Sequence, residues 1–115
     1  MATIDYSLVV DELRLIRDAS KILKQLVRRM FEQLEENPGV YEELEEVDPS
    51  VCAAYQGLTL RKISLVHQHH SYRVIFAHWV ISESGDHAEL LLAFPRSEGY
   101  RIDWQWIAQH LTPPS

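Results

Sequence analysis

The apolar residues of this chain change from helical to extended spacing at Gly57, and that change divides it into a helical part and an extended part that a short closing helix follows. From about Tyr6 to Glu36, Val9, Leu13, Ile16, Leu23, Val27, Met30 and Leu34 recur every three or four positions and form one stripe. Leu8, Leu15, Ile22, Leu26 and Phe31 widen it. One continuous helix of that length would run about 45 Å, longer than a domain of this size is wide. Two outcomes follow. Either the helix breaks near Asp18-Ala19-Ser20, where Asp18 or Ser20 caps the second arm of a helical hairpin, or residues 6–36 pair with a second copy as a homodimer seam.

Asn37-Pro38-Gly39 stops the helical pattern, because proline withholds a backbone donor and glycine accepts the turn. A short acidic helix, about Val40 to Glu46, is expected next. Asp48-Pro49-Ser50 then reads as a cap with proline in the first turn, opening a helix through Val51, Ala54 and Tyr55 that Gly57 ends. Glu32 to Asp48 holds eight acids and no basic residue, the pattern of a solvated face.

Beyond Gly57, Leu58–His67, Tyr72–Ile81 and His87–Phe94 are rich in β-branched and aromatic residues and are separated by turn-prone tetra- and pentapeptides. This predicts two consecutive hairpins. With Tyr72 opposite His67 across a four-residue loop, Ile63, Leu65, Val74, Phe76, Val80, Leu90, Leu92 and Phe94 share a face packed on the helices. The other face carries Lys62, Ser64, Val66, Arg73, Ile75, Trp79, His87, Glu89 and Leu91, and is expected to be open. Asp103 caps a closing helix through Trp104, Ile107 and Leu111. The fold class is therefore α+β, with N-terminal helices on a three-stranded antiparallel meander and a C-terminal helix. One domain over 1–115 is expected, helical over 1–57, sheet over 58–100 and helical over 101–111.

No apolar run is long enough to span a bilayer, and Cys52, the lone cysteine, can form no disulfide within the chain. A cytoplasmic protein without a membrane segment is the expectation. The formal net charge of −6 argues against a broad basic surface. Residues 1–57 carry 12 acids against 6 Lys/Arg, whereas 58–115 carry 5 of each and all six histidines, so an anion-binding surface is expected in the second half.

Two constellations there bear on chemistry. His67 and His69 alternate on an extended strand and could share a metal, but no carboxylate or cysteine stands at a familiar ligand spacing, so neither metal nor cofactor is expected. Arg61, Lys62, Arg73, Arg96 and Arg101, with Tyr100, form a cationic set suited to holding phosphate bidentately and to stabilising the charge of a cleaved phosphodiester. There is no Gly-x-Ser-x-Gly and no glycine-rich phosphate loop.

The run Leu60-Arg61-Lys62-Ile63-Ser64-Leu65, then Tyr72-Arg73-Val74-Ile75-Phe76, then Ala88–Phe94 followed by Arg96 and Tyr100, resembles the sheet of RelE/ParE-type toxins, including the HigB branch. The resemblance covers residues 58–100. It implies a helical layer on a small twisted sheet and, for the RelE branch, a ribosome-dependent cut in messenger RNA. Carried over by position, Lys62 matches a catalytic lysine, Arg73 an arginine of the middle strand, Arg96 an arginine after the last strand and Tyr100 the proton-transferring tyrosine; His67 or His69 could assist, and Arg61 stays a candidate binding residue from the cationic set. It also implies an antitoxin as protein partner, with RNA or the ribosome as target. Ser64 departs from the pattern, standing where RelE has a second lysine. The strand that the family carries ahead of its helices is not evident, and the family's toxins are usually basic. The reading from a different class is a non-catalytic, dimeric interaction module that joins through residues 6–36 and presents the sheet around Trp79 to a protein.

Overall fold

The computed structural model describes residues 2–114 apart from 46, 82–84 and 99–101. Its first element is a strand, β1 (Thr3–Asp5), three residues long and so too short to register as alternation. The Asp5 carboxylate accepts from the Ser7 backbone N–H at 3.0 Å and from the Ser7 hydroxyl at 2.7 Å, which turns the chain out of the strand. Those two bonds, with a smaller contribution from the charge of His87, hold the Asp5 carboxyl below the ordinary aspartate range.

The helical stripe breaks at Ser20. Its hydroxyl accepts from the Leu23 backbone N–H at 3.0 Å, ending α1 (Val10–Ala19) and opening α2 (Lys21–Glu36). The hairpin outcome is the one realised. Val9, Leu13, Ile16, Leu23, Val27, Met30 and Leu34 are all buried against the chain's own sheet. The stripe is thus covered within the chain, while Leu8, Leu15 and Ile22 of residues 6–36 stay exposed.

The expected acidic helix over 40–46 is also corrected. Pro38–Val40 is a single 3-10 turn, and residues 42–44 then run extended beside the sheet edge, with the Lys62 N–H donating to the Glu42 carbonyl (3.0 Å) and the Leu44 N–H to the Leu60 carbonyl (2.9 Å). Acidic residues here shield an edge strand, a use that charge spacing alone does not announce. α3 (Pro49–Ala53) opens as expected on Asp48, which accepts from the Ser50 hydroxyl and N–H and is held below its ordinary pKa by those bonds. Gly57 follows at φ 73°, and a Cβ there would stand 2.8 Å from the Val80 carbonyl oxygen, so glycine is required for the close approach.

β2 (Leu58–His67), β3 (His70–Ile81) and β4 (Gly85–Pro95) form the two predicted hairpins. The first turn is tighter than expected: His67 pairs with His70 around Gln68-His69, and Gln68 takes φ 54°. The shift of two residues leaves side-chain parity intact. The sheet has four strands in the order β1-β4-β3-β2, with β1 parallel to β4, so it is mixed where a purely antiparallel three-stranded sheet was expected.

Both faces are covered. On one, Ile63, Leu65, Val74, Phe76, Ala88 and Leu90 meet the helical hairpin. On the other, Leu60, Ile75, Ala77, Trp79 and Leu91 meet α3 and the closing helix α4 (Trp104–His110), through Val51, Ile107 and Leu111. The face expected to be open is thus a second core. Leu92 and Phe94 belong to this second face, because Phe76 pairs with Leu90 but Ile75 with Leu92; the extra residue, Leu91, bulges the strand and inverts all that follows. Val80, expected in the core, lies at the strand end and is 55% exposed.

Candidate functional site

Three antiparallel strands bring part of the predicted cationic set to one end of the second face. Ser64, Arg73 and Phe94 lie side by side across β2, β3 and β4. Lys62 sits one row inward, opposite Ile75, and Arg96 follows β4 in the 3-10 turn Arg96–Glu98. α3 and α4 close over the inner rows but leave this end accessible: Ser64, Val66 and Arg96 are exposed and Arg73 is half-buried. Tyr100 and Arg101 lie outside the described residues.

The cations differ in what they meet. The Lys62 ammonium lies 3.8 Å from Glu42 and 3.9 Å from Glu45, carboxylates delivered by the extended segment on the β2 edge. Its side chain is 16% exposed, whereas the two glutamates are 81% and 85% exposed, so these are solvent-screened pairs of small net strength. Arg61 points to the opposite face. Its Nε–H donates to His78 Nδ1 at 2.9 Å and its Nη1–H to the Tyr41 carbonyl at 2.9 Å. Because His78 Nδ1 accepts, the neutral ring carries its proton on Nε2, from which it donates to Asp86 at 2.8 Å. Tyr41, Arg61, His78 and Asp86 thus form one hydrogen-bonded chain around a histidine that is 4% exposed.

The remaining predicted binding residues do not converge. Trp79, expected on an open surface, is 4% exposed and packs edge-on against Tyr55 at 5.3 Å. His67 and His69 mark the tip of the first hairpin, with His69 in the turn itself. Its ring lies 4.4 Å from that of His70, which stacks on Tyr72. Among the described residues no group of three or more His, Cys, Asp or Glu side chains is placed to hold a metal ion. Cys52 is half-buried beside the second core, and that burial raises its thiol pKa.

Glu89 is a residue sequence reasoning assigned to an open face and the structure buries to 2%. Its carboxylate accepts from the Thr112 backbone N–H at 3.1 Å to each oxygen and from the Trp79 indole N–H at 3.4 Å, fastening the chain that leaves α4. A second feature was hidden by counting charge over halves. All six cations of residues 1–57 fall between Arg14 and Arg29, with Asp18 the one acid among them, and five of the six line a groove on the helical hairpin.

No helix among the described residues is long and apolar enough to cross a membrane. Comparison with protein-family models, with curated proteins and with solved structures gives no match.

Proposed function

We propose that this is a RelE/ParE-like protein that acts on RNA through the open end of its second sheet face. The observation that carries the reading is the register: Arg73 is the centre of the last row that spans β2, β3 and β4 on this face, Arg96 follows β4, and Lys62 stands on the same face one row inward. A phosphodiester resting there meets the positive charge of Arg73 and of the exposed Arg96. Attack of the ribose 2′-oxygen on the adjacent phosphorus, with departure of the 5′-oxygen, concentrates negative charge on those oxygens, and fixed cations stabilise that state more than the ground state. β1 lends further support, since the resemblance implies a strand ahead of the helical hairpin and Thr3–Asp5 fills that position. The cytoplasm and an antitoxin partner belong to the same proposal.

The test is RNA cleavage by the purified protein, alone and with ribosomes, beside growth arrest on expression. Arg73→Ala and Arg96→Ala should each lower cleavage by tenfold or more while the thermal melt is retained. Wild-type protein that neither cuts RNA nor slows growth would defeat the reading. The glutamates over Lys62 yield a second expectation. Glu42→Gln with Glu45→Gln should tighten RNA binding about two- to fivefold at low ionic strength and leave it unchanged at high salt, measured by fluorescence anisotropy.

A further inference from the structure

The groove on the helical hairpin is an open cleft of about 980 Å³ lined by residues of α1 and α2 together with Tyr6. Leu13 and Val27 form its floor, and Tyr6 and Phe31, in edge-to-face contact at 5.3 Å, close one end. Its rims are cationic. Arg14 and Arg17 stand one turn apart on α1, and Lys21, Lys24 and Arg28 stand on successive turns of α2, so positive charge recurs about every 5.4 Å along each wall. All five side chains belong to exposed residues. Arg14 has a loose pair with Asp11 at 3.9 Å, and among the described residues no ion pair engages Arg17, Lys21, Lys24 or Arg28. Glu35, at one end, is the only acid in the lining. In a chain of net charge −6, a cleft lined by five cations and one acid is a local asymmetry, reduced by Asp11 beside Arg14 and by Asp18 next to Arg17 in sequence; charges more than a Debye length of about 8–10 Å away do not offset it.

We infer that this groove binds a single-stranded nucleic acid, an RNA strand, by its phosphate backbone, with Tyr6 as a platform for a base. Two rows of cations flanking a trough match a strand whose charges repeat along its length. Tyr6 is 47% exposed at the end of the trough, and pairing a basic groove with an accessible aromatic is how sequence-tolerant single-strand binding is achieved. The site lies on the opposite side of the sheet from Arg73 and Arg96. It therefore holds a strand without performing chemistry on it, and stands whether or not the sheet end cleaves.

Binding of a labelled single-stranded RNA oligonucleotide, followed by anisotropy across a salt series, decides the matter. Five phosphate contacts give a slope of log K against log salt of about −3.5, at roughly −0.7 per phosphate. Lys21→Gln, Lys24→Gln and Arg28→Gln together should weaken binding at least tenfold and flatten the slope to about −1.4. Tyr6→Ala should weaken binding with the slope unchanged. Arg73→Ala with Arg96→Ala should remove whatever phosphate contacts the sheet end adds and leave the groove's own share of the slope, about −3.5, in place. If the glutamine triple binds as wild type while the sheet pair does not, the groove assignment is overturned and the sheet reading stands; the converse pattern spares the groove. Displacement of RNA by an acidic helical peptide at lower concentration than by unlabelled RNA overturns it in favour of a protein occupant. A circular-dichroism melt confirms that each variant is folded.

Discussion

Met30→Ala should lower the free energy of unfolding by about 2–5 kcal/mol, and the loss should be the same at every protein concentration. Met30 is 2% exposed, in the row of Leu23, Val27 and Leu34 that faces Ile63, Val74, Phe76 and Leu90. Removing its thioether opens a void that close-packed neighbours refill only in part. For a domain of this size the whole stability is about 5–15 kcal/mol, so the loss is a large share of it. Met30→Asp, which buries a carboxylate with no partner, should leave the chain unfolded at 25 °C. The concentration series separates this role from an interface. Were the stripe a seam between copies, dilution of wild type would lower its melting temperature and Met30→Ala would steepen that dependence; a chain that uses the stripe on itself melts independently of dilution. Denaturant melts at two concentrations a hundredfold apart suffice.

The stripe was legible because helical burial repeats over many residues, and Ser20 because its hydroxyl is a ready acceptor where the pattern skips. The three long strands were legible for the same reason of length. What escaped was set by single residues or by partners distant in sequence. β1 is three residues of Thr-Ile-Asp, a strand only because the β4 edge is there to receive it. Leu91 inverts the end of β4, and nothing in the run Glu89-Leu90-Leu91-Leu92 distinguishes a bulged leucine from a paired one. That inversion carries Phe94 to the second face, alongside Arg73. The second face read as open because Lys62, Arg73 and Glu89 are polar, yet its inner rows are apolar and α3 and α4, one five residues long and the other seven, suffice to cover them. The candidate site follows from both facts. The short covering helices stop short of the hairpin end of the face, where Ser64 and Val66 are exposed and Arg73 is half-buried.

Arg61→Met should cost about 2–4 kcal/mol although it removes a charge from a half-buried position and supplies an apolar stem of similar length. Two acceptors lose their donor at once: His78 Nδ1, inside a residue 4% exposed, and the Tyr41 carbonyl. A buried acceptor left without its donor costs about 1–3 kcal/mol, and the lost bonds come from a charged group. The damage extends past stability. Arg61 ties the connection after α2 to the centre of the sheet, since it grips Tyr41 directly ahead of the extended segment that brings Glu42 and Glu45 over Lys62. His78 relays the same tie to Asp86 on the second hairpin. Hydrogen exchange should therefore show faster opening at the Lys62 and Leu44 amides in Arg61→Met than in wild type, with α1 and α2 changed only by the global loss. Asp86→Asn retains an oxygen that can accept from the neutral ring, so it should cost less than Arg61→Met. A double-mutant cycle of the two should return a coupling energy of about 0.5–3 kcal/mol, because one histidine joins them. Additive effects in that cycle would mean that the two halves of the chain act separately, and that Arg61 serves Tyr41 alone.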